Sequence, residues 1–285
     1  MKFITFQRAG ARAEAGVLLD DQVVGLNAAG FPNMLSVLAS GPAGRAKIDS
    51  FVHDPPSDST FPLASVQLRA PVPRPPKLIC VGLNYRGHAA EARQEIPKVP
   101  TIFAKFSNVV IGPGQAIVLP KNSRKPDYEA ELAFVIGIGG RHIPSYAWRE
   151  HVFGYTAFND VSARDVQRAT SQWMIGKTFD TFCPMGPAIV TADEIDDPHA
   201  LAISLSIGGV TLQKSNTSNL IFRIPKLIAY LSSVFTLEPG DIISTGTPAG
   251  VGFARTPPRW LKAGDEVRVQ VEGIGELVNP VVMEA

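Results

Sequence analysis

Two glutamates spaced by one residue open an apolar stretch, Asp127-Tyr128-Glu129-Ala130-Glu131-Leu132-Ala133-Phe134-Val135-Ile136-Gly137. The run is partly β-branched and ends at Gly, which predicts a strand over Tyr128–Ile138. Side chains alternate faces along a strand, so Glu129 and Glu131 share one. Two ionised carboxylates side by side on an apolar strand repel each other and resist loss of water. A divalent cation relieves both problems, and hard oxygen donors suit Mg²⁺, Mn²⁺ or Ca²⁺. The alternative is an exposed edge strand carrying two solvated glutamates.

Four further segments hold residues of chemical type. In Asn84-Tyr85-Arg86-Gly87-His88-Ala89-Ala90-Glu91, a helix over 88–93 would place His88 and Glu91 on one face. A carboxylate beside an imidazole fixes its tautomer, and the pair can activate water. A surface turn with a solvated His and Glu would read the same way. In Phe158–Gln167, Asp160 sits where a strand ends and a helix begins, placed to complete a three-carboxylate metal site. Arg164 and Gln167 then face one side of that helix. Lys177, in Ile175-Gly176-Lys177-Thr178-Phe179-Asp180, has apolar and Gly neighbours; it is either a buried cation aimed at an anion or a lysine snorkelling to water. Finally, Gly240–Gly252 runs from a strand into a Gly-rich turn whose free N–H groups could cradle an anion, or form a plain loop.

These residues need a frame. Phe3–Phe6, Ala15–Leu19 and Gln22–Leu26 read as strands and Met34–Leu38 as a short helix, which makes residues 1–70 a small unit. Ala70-Pro71-Val72-Pro73-Arg74-Pro75-Pro76 reads as a stiff connector. A larger unit, residues 71–285, follows. Its strands are read at Lys77–Gly82, Thr101–Lys105, Ala116–Leu119, Phe153–Asn159, Ala202–Ile207 and Glu266–Glu272. Ser162-Ala163-Arg164-Asp165 has capping-box spacing. Asn219–Phe235 has a helical apolar stripe with Pro225 required near its start. Strands and helices do not alternate, so the fold class is α+β and β-rich, not doubly wound. Gly137-Ile138-Gly139-Gly140 lacks the dinucleotide-binding spacing, and Gly176-Lys177-Thr178 lacks the first glycine of a P-loop.

The bulk properties exclude other classes. A net charge of +1 gives no electrostatic case for nucleic acid or an anionic membrane. Cys80 and Cys183 have no zinc spacing and cannot form a disulfide framework. No apolar run reaches the roughly 20 residues that span a bilayer. Met1–Arg8 reads as a strand and not a signal peptide. These features together predict a cytoplasmic protein.

Taken in chain order, the motifs resemble the fumarylacetoacetate hydrolase family. They are Gly82-x-Asn84-Tyr85-x-x-His88-x-x-Glu91, Glu129-x-Glu131, Asp160-x-x-Ala163-Arg164-Asp165, Gly176-Lys177-x-Phe179-Asp180 and Thr245-Gly246-Thr247-Pro248-x-Gly250-Val251-Gly252. Gln172-Trp173 and Ser215-Asn216-Thr217 look like the domain-containing-protein subgroup. The resemblance spans roughly residues 70–285 and implies a β-roll fold, a homodimer, and Mg²⁺ or Mn²⁺ on Glu129, Glu131 and Asp160. It further implies His88 and Glu91 as a catalytic pair, Lys177 as the anchoring cation, and Arg164, Gln167, Thr247 and Tyr85 around a small 2-oxo acid. The expected reaction is hydrolysis of a carbon–carbon bond in an acylpyruvate- or fumarylpyruvate-type acid. Oxaloacetate tautomerisation or decarboxylation and hydroxymuconate-type isomerisation are the alternatives at the same site. A non-catalytic metal-binding protein would not need the His–Glu pair.

Overall fold

The strand Ala130–Ile136 organises the molecule, and all its residues are buried. Leu132, Phe134 and Ile136 face one core, while Ala133 and Val135 face another. Burial on both faces explains the continuous apolar run. The structure, a computed structural model, describes residues 1–285.

Ala130–Ile136 pairs antiparallel with Val152–Asn159 on one side and Ile242–Ser244 on the other. Ile242–Ser244 runs parallel to Leu78–Gly82, which pairs antiparallel with the edge strand Thr101–Lys105. Beyond Val152–Asn159 come Cys183–Thr191, Lys2–Gln7, Glu14–Leu19, Gln22–Gly25 and Thr60–Pro62. The strands of residues 1–70 therefore extend the main sheet, with Lys2 opposite Val190 and Phe3 opposite Ile189. The helices Met34–Leu38 and Gly41–His53 bury Met34, Val37, Leu38, Ile48 and Val52 in the core reached by Ala133 and Val135. The connector packs too: Ala70 and Val72 are buried, and Thr5 Oγ1 donates to the Pro71 carbonyl at 2.7 Å.

A second sheet of five strands runs Val210–Asn216, Ala202–Ile207, Glu266–Val271, Gly275–Met283 and Ile117–Leu119. Its Leu205, Val267, Val269 and Leu277 share a core with Leu132 and Phe134. The helix Ile224–Val234 adds Ile224, Leu227, Ile228 and Leu231 to that core. Pro225 lies in its first turn, where a missing N–H breaks no helical bond. No helix is long and apolar enough to cross a membrane. The architecture is α+β and dominated by sheet.

Several local readings change. The helix bearing His88 covers Arg86–Glu91, not 88–93. The strand expected from Tyr128 begins at Ala130, and Pro126–Asp127 pairs separately with Ser162–Ala163. Ser162 is therefore strand and not a helix cap; its hydroxyl donates to the Asp160 carbonyl at 2.9 Å. Only one helical turn, Arg164–Gln167, follows. Asp165 instead accepts from Ser123 Oγ and the Arg124 N–H, which ties the preceding loop down.

Candidate active site

Sheet register assembles the three carboxylates. Ala130 lies opposite Asn159, so the next residue, Asp160, falls beside Glu129, and its N–H donates to the Glu129 carbonyl at 2.9 Å. One carboxylate oxygen from each of Glu129, Glu131 and Asp160 lies within 4.8 Å of the other two, and all three residues are buried.

Three cations crowd two of these acids. Lys177 Nζ donates to Glu129 Oε2 at 2.7 Å and to Asp160 Oδ2 at 2.6 Å. Lys105 Nζ holds the other Asp160 oxygen at 2.6 Å and donates to the Phe182 carbonyl at 2.6 Å. Arg164 donates to Asp127 Oδ2 at 2.8 Å, to Gln167 Oε1 at 3.0 Å and to Glu129 Oε1. Glu131 has no cationic partner; its Oε2 accepts from the Ser244 hydroxyl and from the Gly246 N–H at 2.8 Å.

Electrostatics divides the triad accordingly. Burial opposes ionisation of Glu129, but Arg164 and Lys177 outweigh it and hold the carboxyl below the usual carboxylate range. Burial pushes Glu131 well above that range, and the neighbouring Asp160 and Glu129 push it further. Burial works against the Lys177 charge, yet Asp160 and Glu129 prevail and raise its affinity for the proton. Three converging carboxylates, one without a counter-charge and none accompanied by Cys or His ligands, form a donor set that fits Mg²⁺ or Mn²⁺.

The His88–Glu91 pair closes another side. His88 Nδ1 and Glu91 Oε1 are 2.7 Å apart, and Glu91 Oε2 accepts the Gly250 N–H at 2.8 Å. An ionised Glu91 can only accept, which assigns the ring proton to Nδ1 and leaves Nε2 as the basic nitrogen. Asn84 ties this segment to two others, donating to the Thr245 and Phe222 carbonyls and accepting the Phe222 N–H.

The Gly-rich turn is not an open cradle for an external anion. Its N–H groups bind the chain's own carboxylates: Gly246 to Glu131, Gly250 to Glu91, and Gly252 and Phe253 to Asp127. Gly246 has φ 96°, a left-handed conformation that favours glycine. A Cβ at Gly252 would run into the Arg259 carbonyl and Asp127 Oδ1.

A cavity of about 690 Å³ joins these groups. Of the residues singled out in the sequence, His88, Glu91, Glu129, Glu131, Asp160, Arg164, Gln167, Lys177 and Thr247 line it. Tyr85 does not: it is 1% exposed, and its hydroxyl is buried without a hydrogen-bond partner. The sequence reading missed Lys105, Asp127, Ser244 and Gln213. Gln213 donates to Thr247 Oγ1 at 2.8 Å and accepts the Ala130 N–H, coupling the two sheets at the site. Lys105 ends an apolar strand, where a lysine ordinarily reads as reaching water.

Comparison with known proteins fits this geometry. Residues 77–282 match the family described as fumarylacetoacetate (FAA) hydrolase C-terminal. The oxaloacetate tautomerase Fahd2a of Rattus norvegicus, a mitochondrial protein, is 51% identical over 223 residues, covering 78% of this chain and 71% of the relative. A maleylpyruvate hydrolase from Sphingobium, crystallised with manganese(II) and pyruvate, superposes with TM-score 0.84 at 32% identity over the whole of both chains. A 5-carboxymethyl-2-hydroxymuconate delta-isomerase from Mycobacterium smegmatis gives TM-score 0.81 at 35% identity, also over both whole chains. The mitochondrial location of the tautomerase overturns the cytoplasmic expectation, because reading Met1–Arg8 as a strand says nothing about organelles. Matched over most of its length and carrying the expected carboxylates and His–Glu pair in one cavity, this chain belongs to the fumarylacetoacetate hydrolase family.

Proposed function

We propose that this protein is a divalent-metal-dependent enzyme that interconverts the keto and enol forms of a small 2-oxo acid, oxaloacetate being the first candidate. The observation that carries this reading is the convergence of a three-carboxylate cluster and an oriented His–Glu pair on one cavity. The high identity to an oxaloacetate tautomerase supports the substrate. Glu129, Glu131 and Asp160 would hold Mg²⁺ or Mn²⁺, a choice supported by the manganese in the hydrolase relative. When bound, the metal supplies Lewis acidity for the oxygens of a 2-oxo carboxylate.

The chain's own residues then do the proton work. His88 Nε2 takes the proton from the carbon beside the oxo group and delivers it to the oxo oxygen to give the enol, and the reverse transfer restores the keto acid. Glu91, bonded to Nδ1, orients the ring and stabilises its charged form. Lys177 offers its ammonium to the substrate's anionic oxygens. Gln167 and Thr247 position the acid, and Arg164, fully engaged with Asp127, Glu129 and Gln167, acts by fixing those side chains.

A second reading uses the same atoms. His88 Nε2 takes a proton from water, the oxygen attacks the distal carbonyl of a 2,4-dioxo acid, and the carbon–carbon bond breaks with its electron pair leaving as the enolate of pyruvate, which takes the proton from the imidazolium. The likeness to a maleylpyruvate hydrolase crystallised with pyruvate supports it. Likeness to a hydroxymuconate isomerase supports double-bond migration through the same enolate. The proposal includes a homodimer, and residues 71–285 as the catalytic unit beside a small N-terminal unit of residues 1–70. That division is supported by cavity-lining residues that run only from Val81 to Thr256.

A panel of enol-oxaloacetate, acetylpyruvate, fumarylpyruvate and a hydroxymuconate, assayed with Mn²⁺, tests the reading. Acceleration of oxaloacetate tautomerisation is expected. Cleavage of the dioxo acids without tautomerisation would move the assignment to hydrolysis, and no turnover of any 2-oxo acid would overturn both.

A further inference from the structure

Arg168 differs from Arg164, Arg255 and Lys177, three other cations that line the cavity. It lies one helical turn after Arg164 and faces the same space. Arg164 is saturated by Asp127, Glu129 and Gln167. Arg255 donates to Tyr128, Gly250 and Leu212. Lys177 is held by Glu129 and Asp160. Arg168 makes no ion pair and no side-chain hydrogen bond, and its guanidinium sits 4.2 Å from the centre of the Phe253 ring.

That ring is itself part of the site. Phe253 lines the cavity, Arg164 lies 4.8 Å from its centre, and His88 meets it edge-on at 6.2 Å. Its N–H donates to Asp127, whose oxygens are also taken by Arg164 and the Gly252 N–H. A planar guanidinium resting on an aromatic face keeps its edge donors free for a carboxylate, in the geometry that favours two parallel hydrogen bonds. Five cationic and four acidic side chains line the cavity, so a divalent cation on the triad would leave it positive enough for a dianion.

We propose that Arg168 binds a second carboxylate at the far end of the substrate, and thereby makes this cavity select 2-oxo dicarboxylates over 2-oxo monocarboxylates. The inference rests on the 2-oxo acid reading above. Arg93, which also lines the cavity without an acidic partner, adds to its positive potential.

The test compares 2-oxoglutarate with 2-oxovalerate, which differ only in that a methyl replaces the distal carboxyl. Binding of each to the Mn²⁺-loaded protein is measured by calorimetry, so turnover is not needed. Wild-type protein should prefer 2-oxoglutarate by about tenfold or more, the worth of one hydrogen-bonded charge pair. Arg168→Met should bring that preference close to unity, and Arg168→Lys should keep part of it. No preference in the wild type, or the full preference in Arg168→Met, would overturn the assignment. Failure of both acids to bind, with Mn²⁺ bound, would instead strike the 2-oxo acid reading on which it depends.

Discussion

Lys177 Nζ lies 2.6 Å from Asp160 Oδ2, and the same ammonium reaches Glu129 Oε2 at 2.7 Å. A lysine thus bridges two of the three carboxylates that face the cavity. It keeps two buried acids ionised and close, and it competes with any cation that seeks the same oxygens. Two effects of its removal should therefore have opposite signs. Lys177→Met is expected to lower turnover by roughly 10²-fold, as loss of a charge placed on developing anionic oxygens does. The same variant should bind Mn²⁺ somewhat more tightly, read by calorimetry. Parallel loss of metal binding and thermal stability would mark Lys177 as structural.

Glu131 gives a second prediction. Burial, with Asp160 and Glu129 alongside, favours its protonated form before metal binds. A metal ligand must be deprotonated, so binding should release a proton, and affinity should rise with pH while Glu131 titrates. Mn²⁺ titrations in buffers of different ionisation enthalpy should give different apparent heats. Identical heats would contradict this. Glu131→Gln should abolish the proton release.

Lys105 should matter to folding more than chemistry. Its ammonium is wholly buried against Asp160 and the carbonyls of Val161 and Phe182. Lys105→Met leaves Asp160 Oδ1 and the two carbonyls without this donor, and removing one member of a buried ion pair typically destabilises by about 3–5 kcal/mol. Denaturant unfolding measures it; a loss below about 1 kcal/mol, the range of a surface pair, would contradict the assignment.

His199 makes stability depend on pH. Its Nε2 accepts the Ile224 N–H at 3.2 Å, at the start of the helix Ile224–Val234, and Nδ1 faces Asp197. Burial lowers its affinity for a proton, Asp197 partly opposing and Arg223 assisting. The unfolded chain takes up that proton near the ordinary value of 6.5, whereas the folded chain resists it to lower pH. This contribution is therefore complete above the unfolded value and is lost as pH falls below it. The melting temperature should drop between about pH 7.5 and pH 5.5, and less so in His199→Gln. An equal drop in the variant would assign the effect elsewhere.

The parts of the fold carried by strong periodicity were legible in sequence. Thr101–Lys105 and Ala202–Ile207 fall where the apolar pattern placed them, and Met34–Leu38 forms the expected helix. Gly41–His53 has no counterpart in the sequence reading: its first turn holds two glycines and a proline, which are poor helix formers except for Pro at the start. Glu129 and Glu131 were legible as a pair because period-two spacing survives folding, and Asp160 because it follows the end of a strand. Their neighbours were not. Lys105 and Ser244 reach the site through strand pairings distant in sequence, Leu78 with Lys105 and Cys80 with Ser244. Tyr85 misled for the opposite reason: a residue adjacent to functional ones in sequence turned into the core.

The proposed reaction requires the carboxylate cluster and His88 to act together on a 2-oxo acid. The most direct measurement is the rate of enol-to-keto conversion of oxaloacetate, followed by absorbance, in protein stripped of metal and then titrated with Mn²⁺, for wild type and His88→Ala. The stripped wild type should be inactive and regain activity as Mn²⁺ saturates. His88→Ala should bind Mn²⁺ equally well, yet fall short by roughly 10²–10⁴ in kcat, the usual worth of a positioned general base. Full activity without metal, or a wild-type rate in His88→Ala, would contradict the account.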